Sequence, residues 1–254
     1  MHYQVLIYIG FLVLIALTIR GIGWLNRPMK VDVAMVQVAV DARSRRFVQD
    51  ALARVAEQSD TATREGLVEL LGGAVSALTA ARLAWIYAGS ENFEPMLFAE
   101  AQAEHTRLAV EARAGFQTEL LRAADGEIRT RQAPDVTAQP HEGEGVVLVT
   151  LLVAAFGAVP DIDPTKVEEV ERLLSALATY SPKKLIALEV VWTPSAEDDR
   201  MSTDELESNY PKLVRLVGVG GRVFCSYCGG PHTAELPKCP HCGAPTASAD
   251  PAPA

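Results

Sequence analysis

The stretch GVVLVTLLVAAFG, residues 145 to 157, constrains the chain more than any other. It is strongly apolar, rich in β-branched residues and of strand length, so it has no face to give to water. Such a segment fits the centre of a sheet covered on both sides. At 13 residues it falls well short of the roughly 20 that a membrane helix needs.

Around it the periodicity alternates. VDVAMVQVAV predicts a strand over residues 31–40, and from Arg43 the apolar positions Phe47, Ala51, Leu52 and Val55 recur at helical spacing. A second helix follows Thr63, with Leu67, Leu70, Leu71, Val75 and Leu78 on one face. Its Gly72 and Gly73 point to a close approach by a neighbouring helix. WIYAGSENFEP breaks the helical pattern and separates the second helix from a third, read over 96–124, whose stripe includes Phe98, His105, Leu108 and Ala112. Residues 125–144 are polar, contain two prolines and read as a loop or linker.

After the central run, Asp163 as cap and Pro164 at the first helical position begin an amphipathic helix with Val167, Val170, Leu173, Leu174 and Leu177 inward. KKLIALEVVWTP is a third strand, ended by Pro194. Ser202 and Glu205 stand at capping-box spacing, and Pro211 divides the last segment into two short pieces. The expected fold is α+β: a small sheet of about three strands covered by helices over residues 31–217, with the central strand–helix–strand unit a parallel, right-handed crossover.

The chain opens with an apolar run from Val5 to Ile19 that extends, with Arg20 near its end, to Leu25. The 4–25 segment is long enough to span a bilayer, and Tyr3 and Trp24 fall near its ends, where aromatic rings favour the interface. Arg20, Arg27 and Lys30 all follow the run, so the expected orientation is single-pass in an inner, cytoplasmic membrane with the bulk of the chain in the cytoplasm. A cleaved signal peptide fits less well, because no basic residue except His2 precedes the run.

All four cysteines lie near the other end. Cys225 and Cys228 are separated by two residues, Cys239 and Cys242 likewise, and Gly229 and Gly243 follow the pairs. Each pair can curl so that both sulfurs face one ion, and glycine permits the turn. Four thiolates complete a closed tetrahedral set, so residues 218–246 read as a zinc ribbon with a structural Zn2+, followed by a disordered tail over 247–254. Rubredoxin-type iron uses the same ligands. His232 and His241 are not needed as ligands. VGVGG, ending at Gly221, reads as a flexible joint that would leave the ribbon a steerable docking knob.

VAMVQVAV, SDTATREGLVELL, VVLVTLLVAAFG, LEVVWTP and MSTDELESNYPKLVRL together resemble the fluctuating-light-acclimation family, also called domain of unknown function 1517, over roughly residues 31–217. The resemblance implies a domain attached to a membrane segment, found in cyanobacteria, plastids and other bacteria, with no assigned catalytic residues. It does not extend to the cysteine-rich tail.

Three functions compete. A non-enzymatic, membrane-anchored interaction or scaffold protein would contact lipid through its first helix and protein partners through the domain and ribbon. Nucleic-acid binding through the ribbon meets an adverse charge, because residues 31–254 hold 20 basic against 32 acidic residues, a net −12. An enzyme would need a site: Asp161 and Asp163 are better explained by a turn and a helix cap, Glu189 by the outward face of an edge strand, and His105 by packing. No phosphate-binding loop or nucleophile elbow is present.

Overall fold

The computed structural model describes residues 29–114, 145–194, 200–217 and 222–246. The expected membrane helix, the 125–144 linker, the joint before Arg222 and the tail lie outside the described residues. β1 (Val31–Asp41), β2 (Trp85–Asn92), β3 (Gly145–Phe156), β4 (Leu185–Thr193), β5 (Met201–Ser202) and β6 (Val214–Arg215) form one sheet in the order β4-β3-β1-β2-β6, with β5 also on β3. The expected α+β class, a sheet covered by helices, is what the chain adopts. The sheet has six strands rather than about three.

Every strand-to-strand ladder of the sheet is antiparallel. The apolar run becomes β3, flanked by β1 on one side and by β4 and β5 on the other, and Val146 through Ala155 are all buried. Alternate residues serve opposite faces. Val36, Val38, Val40, Val149, Leu151 and Val153 pack under α1 (Arg45–Gln58), α2 (Arg64–Ala80) and α4 (Val167–Ala178). On the other face α3 (Phe98–Ala114) covers Val33, Met35, Leu152 and Ala154, and α5 (Thr203–Asn209) covers Ala39, Val146 and Leu148.

Three expectations are corrected. The stretch from Trp85 is a strand: Trp85, Ile86, Tyr87 and Ala88 are buried against β1, which the sequence disguised because Gly89 and three polar residues follow them. The β3–α4–β4 unit is not a parallel crossover, because β4 begins where β3 ends, with Leu185 opposite Ala155 and the Phe156 amide donating to the Lys184 carbonyl (2.9 Å). The chain crosses one face as a helix and returns to the same end of the sheet. Finally, α4 starts at Val167 rather than beside Asp163, whose carboxylate instead accepts the Thr165 amide (3.1 Å) and hydroxyl (2.6 Å).

Other local signals hold. Thr63 accepts the Gly66 amide at the start of α2, and Ser202 and Glu205 close a full capping box on α5. After Pro211 the chain forms β6 on β2 instead of more helix. The close helix approach occurs at Gly73 alone: a Cβ there would lie 2.3 Å from a Val55 methyl, whereas at Gly72 nothing lies within 4 Å. Gly73→Ala should therefore cost about 1–3 kcal/mol through overpacking, and Gly72→Ala should gain about 0.5–1 kcal/mol of helix propensity. Denaturant midpoints of the full chain in detergent test the pair. Equal effects of the two changes would refute the contact.

Candidate metal centre

The last described segment folds into a two-stranded sheet, β7 (Arg222–Phe224) and β8 (Pro231–Thr233), with a cysteine knuckle on each side of the site. In the first knuckle the Gly229 amide donates to the Cys225 carbonyl (2.8 Å), and in the second the Gly243 amide donates to that of Cys239 (2.9 Å). Gly229 and Gly243 have φ of +72° and +74°, the left-handed conformation that closes such a turn without a Cβ penalty. Identical turns on both sides aim four sulfurs at one point.

The sulfurs of Cys225, Cys228, Cys239 and Cys242 all lie within 4.8 Å of one another. Cys225 to Cys242 and Cys228 to Cys239 are each 3.7 Å. A tetrahedral ion with arms of about 2.3 Å to sulfur requires edges of about 3.8 Å, so the spacing fits zinc. The electrostatics fit as well. Amide donors from Cys228 and then Tyr227 draw the Cys225 thiol down to about 6, while burial pushes that of Cys228 up to about 12. Gathering the four as thiolates calls for a compact positive charge between them, which a divalent ion supplies. The four cysteines can hold a metal ion.

The histidines serve the scaffold. His232 is buried in β8 with Nδ1 2.8 Å from the Thr233 carbonyl, and His241 places Nε2 2.9 Å from the Pro231 carbonyl.

The ribbon does not hang free. Ser44, at the start of α1, donates its hydroxyl to the Gly229 carbonyl (2.9 Å), and a Cβ on Gly229 would stand 2.9 Å from the Arg43 carbonyl. Phe47 of α1 contacts the His241 ring with centroids 4.6 Å apart, and Arg43 lies 4.2 Å over the ring of Phe224, which packs on the main core. Beneath these contacts is Asp41, the buried last residue of β1. It accepts a forked pair from Arg43 (2.9 and 2.6 Å) and lies 3.6 Å from Arg222 of β7. Whatever the 218–221 joint does, side chains fasten the ribbon to the domain. Sequence reading missed Asp41 and Arg222, because the pair links residues 181 positions apart and neither belongs to a motif.

The remaining candidates disperse. Asp161 accepts the Asn92 side-chain amide (2.9 Å), and Asp163 is partly exposed, its carboxyl held down at about 2 by the Thr165 hydroxyl and then Lys166. Glu189 does lie on an edge strand, turned toward α3 and ion-paired with Arg113. His105 is half-buried between α3 and the sheet, and its Nε2 has no partner among the described residues. Asp32, which sequence reading passed over, is buried, accepts the Val159 amide (2.6 Å) and has its pKa raised by burial.

Residues 30–216 match the family described as "Protein of unknown function (DUF1517)". Among similar proteins, Protein FLAP1 homolog A of Synechocystis sp. is 30% identical over 198 residues, covering 74% of this chain and 57% of the relative. FLUCTUATING-LIGHT-ACCLIMATION protein 1, chloroplastic, of Arabidopsis thaliana is 30% identical over 191 residues, covering 74% and 48% respectively. The chain thus spans about half the length of these curated relatives. No solved structure matches it. The cysteine cluster lies beyond the residues that the family pattern matches.

Two outcomes follow from the geometry. Cys228→Ser should abolish stoichiometric metal and, because the ribbon covers Ser44 and Phe47, also lower the unfolding midpoint of the whole domain. Elemental analysis with thermal denaturation of the full chain checks both, and an unchanged domain midpoint would show that the ribbon is uncoupled. Burial lowers the pKa of His105 below its usual 6.5, so the folded state favours neutral imidazole. Its contribution is present above that value and is lost as pH falls through the folded one. His105→Leu should flatten the loss of stability from about pH 7 to about pH 5, and parallel pH profiles would contradict it.

Proposed function

The chain belongs to the DUF1517 family, and we propose that it is a single-pass, membrane-anchored, non-enzymatic interaction protein whose α+β domain carries a structural zinc ribbon as its docking module. The observation that carries this reading is the clamp between ribbon and domain. A closed set of four thiolates has no position for water or substrate, so the metal's role is to hold a shape. Asp41, Ser44 and Phe47 then fix that shape to the sheet. A rigidly presented surface binds with less ordering cost than a swinging one.

The outward side of the ribbon suits protein contacts. Tyr227 and Leu236 are exposed there, on turns that the metal and the glycines make stiff. For nucleic acid the supply is poor: of the ribbon's two basic residues, Arg222 is turned inward to Asp41, leaving Lys238. Among the described residues the cavity beside His105 is walled mostly by apolar side chains, which offers little for catalysis.

The anchor reading rests on the apolar 5–25 run and the basic residues after it. Among the described residues no helix is long and apolar enough to cross a membrane. The name of the Arabidopsis relative attaches to fluctuating-light acclimation and to the chloroplast, and the Synechocystis relative is named a FLAP1 homolog. A role for this chain beside photosynthetic membranes is a proposal carried by those names alone.

The test uses full-length baits crosslinked in membranes. The Tyr227→Ala/Leu236→Ala variant should keep metal and stay in the pellet after alkaline carbonate, yet lose a subset of partners. An unchanged partner set, with binding of the full chain to DNA or RNA at physiological salt, would replace the docking reading by the nucleic-acid one.

A further inference from the structure

The exposed large apolar side chains of the domain are not scattered at random. Val31 and Met96 exchange both backbone hydrogen bonds (2.9 Å each way) in an antiparallel bridge. That bridge sets Met29, two residues before Val31, alongside Leu97 and Phe98, which follow Met96. All three are exposed, Met29 at 69%, Leu97 at 44% and Phe98 at 54%. Phe98 also lines a cavity of about 420 Å³, mostly apolar through Val31, Ala101, Ala154 and Ile186, with Gln102, His105 and Thr106 as its polar members. An apolar corner beside a mostly apolar cavity is costly to leave in water.

What covers it is indicated by where the chain goes. The apolar run ends at Leu25, only four residues before Met29, and in the sequence Arg27 and Lys30 stand on either side of Met29, a charge that suits a bilayer surface. Four residues cannot carry Met29 farther than about 14 Å from the end of the run, so the corner faces the membrane that receives the run. We propose that Met29, Leu97 and Phe98 insert at the bilayer surface and that the cavity behind Phe98 takes up a phospholipid acyl chain.

The inference rests on the anchor reading and deepens it: the domain lies against the membrane in one orientation. Val110, on the same helix and equally exposed at 54%, sits twelve residues from Phe98, about 18 Å along the axis, and serves as the contrast.

The experiment places benzoylphenylalanine at position 97, 98 or 110 of the full chain in phosphatidylcholine vesicles. After illumination, intact mass is measured before and after carbonate extraction. The expected result is a mass shift of one phosphatidylcholine at 97 and 98 and none above background at 110. Protein that stays in the vesicles through carbonate but shows no lipid adduct at 98 overturns the corner and leaves the anchor standing. Adducts at 98 in protein that carbonate strips away would support the corner and sink the anchor. Equal adducts at 98 and 110 would overturn the oriented contact.

Discussion

The antiparallel pairing of β1 with β3 is the constraint on which everything else depends. It runs unbroken from Asp32 opposite Ala155 to Asp41 opposite Val146, and all three apolar clusters are built on its two faces. With both faces buried, a slip of one residue would exchange them completely. The register carries its own mark: Gln37 stands opposite Thr150, both buried, and donates to its hydroxyl at 3.1 Å. Any other alignment would strand two polar groups inside the sheet.

The same pairing delivers Asp41 to the edge of the domain as a buried carboxylate. A charge there is tolerable only if opposed, and the partners come from both sides of the ribbon junction, Arg43 before α1 and Arg222 in β7. The cysteine-rich tail is thereby keyed to the sheet by side chains. At the far end of the same strand, Val31 is bridged to Met96, just before α3. One strand thus runs from the exposed Met29, Leu97 and Phe98 side of the domain to the ribbon.

Much of this could be read in the sequence, where the code is local. The cysteine knuckles are complete within four residues each, the capping box on α5 within four, and the two-sided strand announces itself by a thirteen-residue stretch in which Thr150 alone has a polar side chain. What failed was non-local. β2 looked like a break because its buried part is only Trp85 to Gly89, and it is a strand by virtue of β1 beside it. The direction of β4 depends on where α4 releases the chain, which no periodicity encodes. Gly73 was legible as a close approach, but its neighbour Gly72 was indistinguishable until Val55 was in place. The docking of the ribbon was hidden because glycines before Arg222 suggest freedom, whereas Gly229 is glycine partly to let Arg43 come near.

The central claim is that metal, ribbon and sheet are one mechanical unit. Hydrogen–deuterium exchange on the full chain, with and without a chelator, tests it most directly. Removing the metal should speed exchange in residues 222–246 and also in the first turns of α1, around Ser44 to Val48, while β3 stays protected. Faster exchange confined to 222–246, with α1 unchanged, would contradict it.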